Sequence, residues 1–186
     1  MGYRHRRDEI LEAALAVASA DGLSTLTFGR VAKQVGASDR IVVYYFPSKD
    51  ALVSAVLAEL GAQLQATLAA TLGPPSADHL ELVRAGWPAL ATPGCDPVFA
   101  LFFEALGLAA SGREPYCSVI PGFVDAWVEW TAEHLRGTAS RRRAEAEAAV
   151  ALLDGLLLLR QVAGAEAAER AARRLGVAGP RPAHGA

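Results

Sequence analysis

Apolar residues recur at helical spacing through almost the whole of this 186-residue chain. Residues 6–20 illustrate the pattern, since their apolar side chains fall three or four positions apart and would share one face of a helix. The members of that stripe are Ile10, Leu11, Ala14, Leu15 and Ala18. The same spacing along the chain predicts nine helices and no strand. The predicted fold class is therefore all-α.

One segment conflicts with this pattern. Residues 41–46 read IVVYYF and are all β-branched or aromatic, a composition that favours strands. Ser38 before the run is a good helix N-cap, however, and Pro47 after it stops a helix. Because helix signals stand on both sides, we predict that tertiary packing overrides the strand propensity and that this run is helical.

The segment before this run predicts a partner helix. FGRVAKQV at 28–35 is short, has Thr27 as its predicted N-cap and ends at Gly36. Two short helices joined by a glycine-containing turn have the dimensions of a helix-turn-helix. A major groove roughly 12 Å wide admits one helix, whose first residues reach base edges while the preceding helix braces it.

The remaining segments also predict helices. Ser48 is expected to cap a long helix over 49–72, and Gly73-Pro74-Pro75 has the composition of a linker. Asp96-Pro97 starts another helix, with a capping carboxylate followed by proline. The segment 112–137 contains Pro121-Gly122, so it is predicted to form either one helix or two pieces meeting there.

Charge and composition exclude some functions. The net charge is −2, which argues against a protein that coats nucleic acid without discrimination. Residues 1–50 carry seven Arg/Lys and six Asp/Glu, a net of +1, and the remainder carries −3. The start of the chain has no apolar signal region and no apolar run is long enough for a bilayer, so a cytoplasmic protein is expected. Cys95 and Cys117 have no metal-ligand spacing, and neither a metal nor another cofactor is expected.

The ordered string LTFGRVAKQVGASDRIVVYYFPSKDAL at 26–52 resembles the DNA-binding domain of the tetracycline-repressor (TetR-like) family of bacterial transcriptional regulators. The matching features are Thr27, Val31-Ala32, Val35-Gly36, Ser38, Tyr45-Phe46 and the Phe-Pro-Ser-Lys-Asp-Ala-Leu entry to the fourth helix. The resemblance implies three DNA-binding helices followed by a six-helix regulatory body, and LLDGLLLLRQ at 152–161 is similar to the family's eighth helix. It implies a two-domain architecture, with a helix-turn-helix domain over 1–48, a regulatory domain over 49–178 and a flexible tail over 179–186.

The match also has departures. Val42-Val43 stands where members commonly carry Leu-Tyr, Gly29 where some carry a base-reading side chain, and Arg40 where many carry a small residue or proline. These differences concern which operator sequence is read.

The resemblance and the residue chemistry together suggest DNA-binding roles. Arg40 is the candidate for guanine readout, Asp39 for a cytosine amino group, and Ile41 or Val43 for thymine methyl groups. The candidates for phosphate contacts are Thr27, Ser38, Tyr44, Tyr45 and Lys49. Val42 and Phe46 are expected in the core, and Tyr45 fits either core or phosphate.

For the body, the resemblance implies a homodimer built by the last two helices and an effector pocket among the central ones. The predicted dimer residues have small or apolar side chains, and they are Ala148, Ala151, Leu152, Gly155, Leu156, Leu159, Ala168, Ala172 and Leu175. The predicted effector contacts are mostly aromatic, and they are Trp87, Phe99, Phe102, Phe103, Tyr116, Cys117, Phe123, Trp127 and Trp130. Aromatic stripes at helical spacing are also typical of plain core, so only some of these are expected to touch a ligand.

The function predicted is therefore a ligand-responsive repressor that binds a palindromic operator as a dimer and is released by a small, largely apolar effector. Its expected partners are double-stranded operator DNA, a second copy of the chain and that effector, with no membrane. No nucleophile–base or paired-carboxylate spacing indicates an enzyme. The alternative is a helical small-molecule-binding protein whose operator binding is weak or lost.

Overall fold

The computed structural model describes residues 2–178 in backbone, and side chains from Arg7 onward. The predicted tail at 179–186 lies outside the described residues. Within that range nine α-helices follow one another, and they are α1 Gly2–Asp21, α2 Phe28–Val35, α3 Asp39–Tyr45, α4 Lys49–Ala69, α5 His79–Leu90, α6 Asp96–Ala110, α7 Tyr116–Glu133, α8 Ala139–Ala163 and α9 Ala165–Arg174. A short 3₁₀ helix, Leu23–Thr25, joins α1 to α2. The all-α prediction is confirmed.

Between the helices of the described part, the strand-like pairing amounts to one isolated bridge. The backbone amide of Ser76 donates to the carbonyl of His134 at 2.8 Å, and the amide of Arg136 donates to the carbonyl of Ser76 at 2.9 Å. The bridge satisfies backbone groups of the Gly73-Pro74-Pro75 linker region, which has no helical bonds of its own.

The chain packs as two compact units. Unit 1 comprises the chain up to Ala62 together with Ala100–Val124, and unit 2 comprises Gln63–Phe99 together with the chain from Asp125 onward. The division falls within α4, α6 and α7, each of which contributes residues to both units. The functional boundary expected between residues 48 and 49 stays a prediction.

Unit 1 has a core of aliphatic and aromatic side chains from all its helices. The fully buried members include Ile10, Ala14, Val31, Ala32, Val42, Phe46, Leu52, Val53, Val56 and Leu57. Ile10, Ala14 and Ala18 of the stripe predicted on α1 are buried, α2 packs against α1, and α3 packs against α2. Val42 and Phe46, at 0% and 1% exposure, confirm the expectation that they belong to the core.

Unit 2 is centred on α5, α8 and α9. Its buried residues include Leu82, Val83, Trp87, Ala146, Ala149, Leu157, Ala168 and Ala172. Small alanines on α8 and α9 permit close packing of the two helices. Asp96 at the start of α6 is fixed by Arg160 of α8, whose Nε and Nη2 donate to the carboxylate at 2.6 and 2.9 Å.

Two of the long helices, α4 and α7, have an unusual composition: α7 contains a proline and α4 is strongly apolar. α7 is one continuous helix through Pro121, which answers the question that the sequence left open. Among the described helices, α4 alone has the length and hydropathy of a membrane span. A core explains its composition equally well, because Leu52, Val56 and Leu60 are buried in this structure.

Candidate nucleic-acid interface

α2 is bounded by local polar and backbone signals. Thr27 has extended backbone angles, and its hydroxyl accepts from the amide of Arg30 at 3.3 Å. Gly36 ends the helix in the left-handed region, at φ 70° and ψ 34°, and the amide of Ala37 donates back to the carbonyl of Ala32 at 2.9 Å. This is a Schellman-type end, for which glycine is the favoured residue. The turn between the two short helices is therefore encoded by its own residues.

α3 begins directly after Ser38, which has N-cap backbone angles but makes no capping bond with its side chain. Its hydroxyl thus remains available to another acceptor or donor. The helix presents two different faces. Val42 is fully buried, whereas Val43 and Tyr44 are 40% and 68% exposed. Asp39 and Arg40 are exposed on the same outer side as Val43 and Tyr44, since these positions are separated by three or four residues.

The remaining predicted contacts are partly covered. Ile41 and Tyr45 are half-buried, and the Tyr45 ring meets the Tyr44 ring edge to face with centroids 5.0 Å apart. Asp39 leans toward α2, because a Cβ added at Gly29 would lie 3.4 Å from its Oδ2. A methyl group at Gly29 would therefore make an ordinary van der Waals contact with the Asp39 carboxylate.

The start of α4 adjoins this surface in sequence. The Ser48 hydroxyl accepts from the amide of Ala51 at 3.1 Å, which confirms the predicted cap. Lys49 is the first residue of the helix and is half-buried. Arg7 of α1 makes a cation–π contact with Phe46 just after α3, since its guanidinium carbon lies 5.0 Å from the centre of the Phe46 ring.

Two side chains hold the link between α1 and α2 by contacts that the sequence did not predict: Glu104 was not singled out, and Tyr116 was expected only as an effector contact. The Glu104 carboxylate of α6 accepts from the amides of Leu23 and Ser24 at 2.8 and 2.9 Å. The Tyr116 hydroxyl of α7 donates to the carbonyl of Leu23 at 2.6 Å. Only the three-dimensional arrangement reveals these contacts, because 80 or more positions separate the partners.

The structure divides the residues predicted to bind an effector. Trp87, Phe99 and Tyr116 are buried, and the Trp87 ring nitrogen donates to the Glu169 carboxylate at 3.0 Å. The half-buried ones are Phe102, Phe103, Cys117, Phe123, Trp127 and Trp130. In unit 1 the rings of Phe102 and Phe123 have centroids 5.8 Å apart, and in unit 2 those of Trp127 and Trp130 are 5.5 Å apart.

The structure also divides the predicted dimer residues. Leu156, Ala168 and Ala172 are buried within the chain itself, and Ala148, Leu152 and Leu159 are half-buried. Ala151, Gly155 and Leu175 are exposed, together with Leu158 and Val162 at 44% and 74%, which the sequence analysis did not select. We call Ala151, Gly155, Leu158 and Val162 the α8 stripe, because they follow one another at i, i+4, i+7 and i+11.

Comparison with known proteins agrees with this geometry. Residues 10–56 match the family model described as bacterial regulatory proteins, tetR family. An HTH-type transcriptional regulator BetI from Cronobacter sakazakii (strain ATCC BAA-894) is 30% identical over 69 residues, which is 37% of this chain and 34% of that relative's length. The match to this curated relative thus spans about a third of it.

Solved structures resemble the chain over most of its length. The multidrug binding protein EbrR complexed with imidazole is 26% identical, with 97% of this chain and 93% of that chain covered and a TM-score of 0.68. A TetR transcriptional regulator from Legionella pneumophila shares the fold, at 21% identity, 90% and 92% coverage and a TM-score of 0.61. The helix-turn-helix, its caps and these similarities agree: residues 10–56 are identified as a domain of the tetR family of bacterial regulatory proteins, and the chain shares its fold with a solved TetR transcriptional regulator.

Proposed function

We propose that this protein is a bacterial transcriptional repressor, active in the cytoplasm, that binds a palindromic operator as a homodimer and is released by a small, largely apolar effector. The observation that carries the proposal is the two-faced helix α3. Val42 anchors one face in the core, while Asp39, Arg40, Val43 and Tyr44 stand exposed on the other. A recognition helix needs this division, because one face must pack against the domain while the opposite face is exposed to contact base edges. The family and the solved relatives are regulators, and we propose no enzymatic activity.

Each exposed residue has a proposed partner on the duplex. Arg40 would donate to guanine O6 and N7, and Asp39 would accept from a cytosine amino group. Val43 and the half-buried Ile41 would meet thymine methyl groups. Phosphate oxygens would be held by donors near helix starts and by the tyrosine hydroxyls, from Thr27, Ser38, Tyr44, Tyr45 and Lys49.

The dimer proposal rests on apolar surface that the chain itself leaves uncovered. The α8 stripe combines two large exposed side chains, Leu158 and Val162, with the small residues Ala151 and Gly155. Leu175, just after α9, is a further apolar side chain that is 49% exposed. Small residues let a second helix approach closely, and large ones fill the space beside them. A second copy of α8 and α9 fits this surface.

The dimer is tested by placing charges on the stripe. Leu158→Glu with Val162→Glu should convert the dimer to a monomer in sedimentation velocity at micromolar concentration, because two carboxylates would be desolvated at the interface. The matched control is Leu80→Glu, since Leu80 is an exposed leucine of α5 at 37%. A double variant that sediments as wild type would contradict the proposed interface.

The effector proposal rests on half-buried aromatic rings of the central helices. Phe102 and Phe123 meet in unit 1, and Trp127 and Trp130 meet in unit 2. Rings of this kind are partly accessible and would stack on a flat apolar ligand. EbrR, the 26% identical relative, has been solved with imidazole and with proflavin, so these two compounds are the first probes.

Release follows by linkage. An effector that binds better to the form with low operator affinity must weaken operator binding by the same coupling factor. Proflavin added to a preformed operator complex is the test, with Phe102→Ala as the variant and Leu80→Ala as the control. We expect release from wild type and the control, and a reduced response in Phe102→Ala.

Sequence readout is tested at Arg40. Arg40→Ala should lower affinity for the intact operator by roughly tenfold or more and relax the preference for one guanine. Lys49→Ala is the control, and it should weaken binding equally on every duplex and reduce the salt slope. Equal losses for Arg40→Ala on all guanine-substituted duplexes would assign Arg40 to phosphate. If the wild-type chain shows no specific operator binding, the alternative of a helical small-molecule-binding protein is favoured.

A further inference from the structure

The link between α1 and α2 is held by side chains from distant parts of unit 1. The carboxylate oxygens of Glu104 accept from two successive amides, Leu23 at 2.8 Å and Ser24 at 2.9 Å. The hydroxyl of Tyr116 donates to the carbonyl of Leu23 at 2.6 Å. Both polar groups of the Leu23 backbone are therefore bound by α6 and α7.

The Glu104 contact performs the task of a helix cap. The first amides of a helical turn have no acceptor within the turn, and Gly22 at the cap position offers no side chain. The carboxylate replaces this missing local cap, and bonds from amides to an ionised acceptor are stronger than neutral ones. Gly22 is needed for the approach, since it has φ 87° and an added Cβ would lie 3.0 Å from Glu104 Oε2.

Burial makes the Tyr116 contact persistent. Leu23 is fully buried and Tyr116 is 2% exposed. Desolvation by burial, followed by the negative charge of Glu104, raises the pKa of Tyr116 to about 12. The hydroxyl is therefore protonated at neutral pH, as any tyrosine is, and remains a donor to Leu23 at an alkaline pH at which a free tyrosine ionises.

The held link leads almost directly into the DNA-binding helices. Leu26 is fully buried after the 3₁₀ helix, and Thr27 already caps α2. A change in the backbone at Leu23 and Ser24 would therefore alter the direction in which α2 and α3 leave α1.

We infer that Glu104 is a positioning residue for operator binding, which fixes α2 and α3 from α6 by capping the Leu23–Thr25 turn, with Tyr116 as its partner. This inference rests on the proposed DNA-binding function. It assigns to a residue about 80 positions away in sequence from the link between α1 and α2 an effect on DNA affinity that needs no contact with DNA.

The test compares Glu104→Ala, Glu104→Gln and Tyr116→Phe with the control Glu129→Gln, whose side chain is exposed on α7. Amide hydrogen exchange is measured at Leu23 and Ser24 and at core amides of α1. Operator affinity is measured at two salt concentrations under conditions where every variant is folded. Glu104→Gln retains an acceptor for one amide only, so its effects should fall between those of wild type and Glu104→Ala.

For Glu104→Ala we expect exchange at Leu23 and Ser24 to accelerate roughly tenfold or more, and operator affinity to fall about tenfold with an unchanged salt slope. An unchanged slope means that no phosphate contact was lost, as a positioning role requires. Exchange that accelerates equally at the α1 core amides would show general destabilisation and overturn the inference. The inference would also be overturned if the operator affinities of Glu104→Ala and Glu104→Gln were within twofold of the affinity of Glu129→Gln.

The two proposals fail in different ways. If wild type forms no salt-sensitive operator complex, the proposed function is wrong and the positioning role in DNA binding falls with it. If wild type binds and the Glu104 variants bind equally well, only the positioning role is wrong.

Discussion

Two adjacent valines of α3 offer a matched test of the division between core and DNA-facing side. Val42 is fully buried and Val43 is 40% exposed, although both belong to the same strand-like run. Replacing either by alanine removes the same atoms from the same helix. Any difference between the two variants therefore reports the environment of the side chain and not its chemistry.

The expected cost of Val42→Ala follows from its burial. The lost carbon atoms correspond to about 1.6 kcal/mol of transfer free energy, at about 0.8 kcal/mol each. An incompletely relaxed cavity adds up to about 1 kcal/mol, and the better helix propensity of alanine returns about 0.5 kcal/mol. We expect the free energy of unfolding to fall by about 2 kcal/mol in Val42→Ala. In Val43→Ala the small burial loss and the propensity gain nearly cancel, leaving a change within about 0.5 kcal/mol.

The assay is urea unfolding at fixed protein concentration, together with operator titration of the folded variants. Val43→Ala should lose affinity by roughly fourfold for each methyl contact removed, with the loss confined to operators that carry thymine at the contacted position. Val42→Ala should bind all operators in the wild-type order. Similar unfolding energies for the two variants, or a specificity change in Val42→Ala alone, would refute the assignment of the two faces.

Three further predictions concern stability. Burial raises the pKa of Asp154 from 3.8 to about 6, so the folded state favours the protonated acid and its contribution is present below pH 4 and lost as the pH rises through about 6. At pH 7.5 the free energy of unfolding of Asp154→Asn should therefore exceed that of wild type by about 2 kcal/mol, so that the variant unfolds at a higher urea concentration. The variant should also lose less stability than wild type as the pH rises, and equal pH profiles would contradict this explanation. Gly36→Ala should cost about 1 kcal/mol in the same assay, because alanine resists φ 70° although nothing lies within 4 Å of its Cβ; no loss would argue against the left-handed cap. Asp96→Asn should lower the free energy of unfolding by about 1 kcal/mol, because Arg160, whose side chain is 9% exposed, would lose its counter-charge while Asp96 itself is 35% exposed. Asp125→Asn, at an exposed ion pair, should change stability little, and equal effects of the two substitutions would contradict the difference in burial.

Local signals were sufficient to predict most helix boundaries. Thr27 and Gly36 define α2 through bonds made within a few residues, and Ser48 does the same for the start of α4. Residues 41–45 are helical as predicted, because Pro47 limits the segment and tertiary packing outweighs a propensity difference of a few tenths of a kcal/mol per residue. Ser38 occupies the N-cap position without a side-chain bond, and Phe46 lies just after the helix. Sequence alone could not decide whether Pro121 divides α7, since a helix tolerates proline when neighbours stabilise the kink.

The candidate site was predictable to the extent that it is local. Val42 and Phe46 are buried as expected, whereas Ile41 and Tyr45, both named as candidate DNA contacts, are half-buried. Contacts between distant segments were not predictable. Glu104 has no motif around it, and its meeting with Leu23 depends on how α6 packs.

The α8 residues predicted for the dimer coincide only partly with the exposed α8 stripe. Helical periodicity locates an apolar face only when one face is apolar, and α8 carries leucine or alanine nearly all round between Ala148 and Leu159. Packing against α9 and α5 decides which of these residues are buried. It buries Leu156 and leaves Leu158 and Val162 exposed.

The most direct test of the central claim is a titration of the wild-type chain with the DNA immediately upstream of its own coding sequence, measured by fluorescence anisotropy at 50 and 200 mM salt. We predict a specific complex of two chains per duplex, at least a hundredfold tighter than with a scrambled duplex of equal length, and weakened roughly a thousandfold at the higher salt. Equal affinity for the two duplexes, or a complex that salt does not weaken, would contradict it.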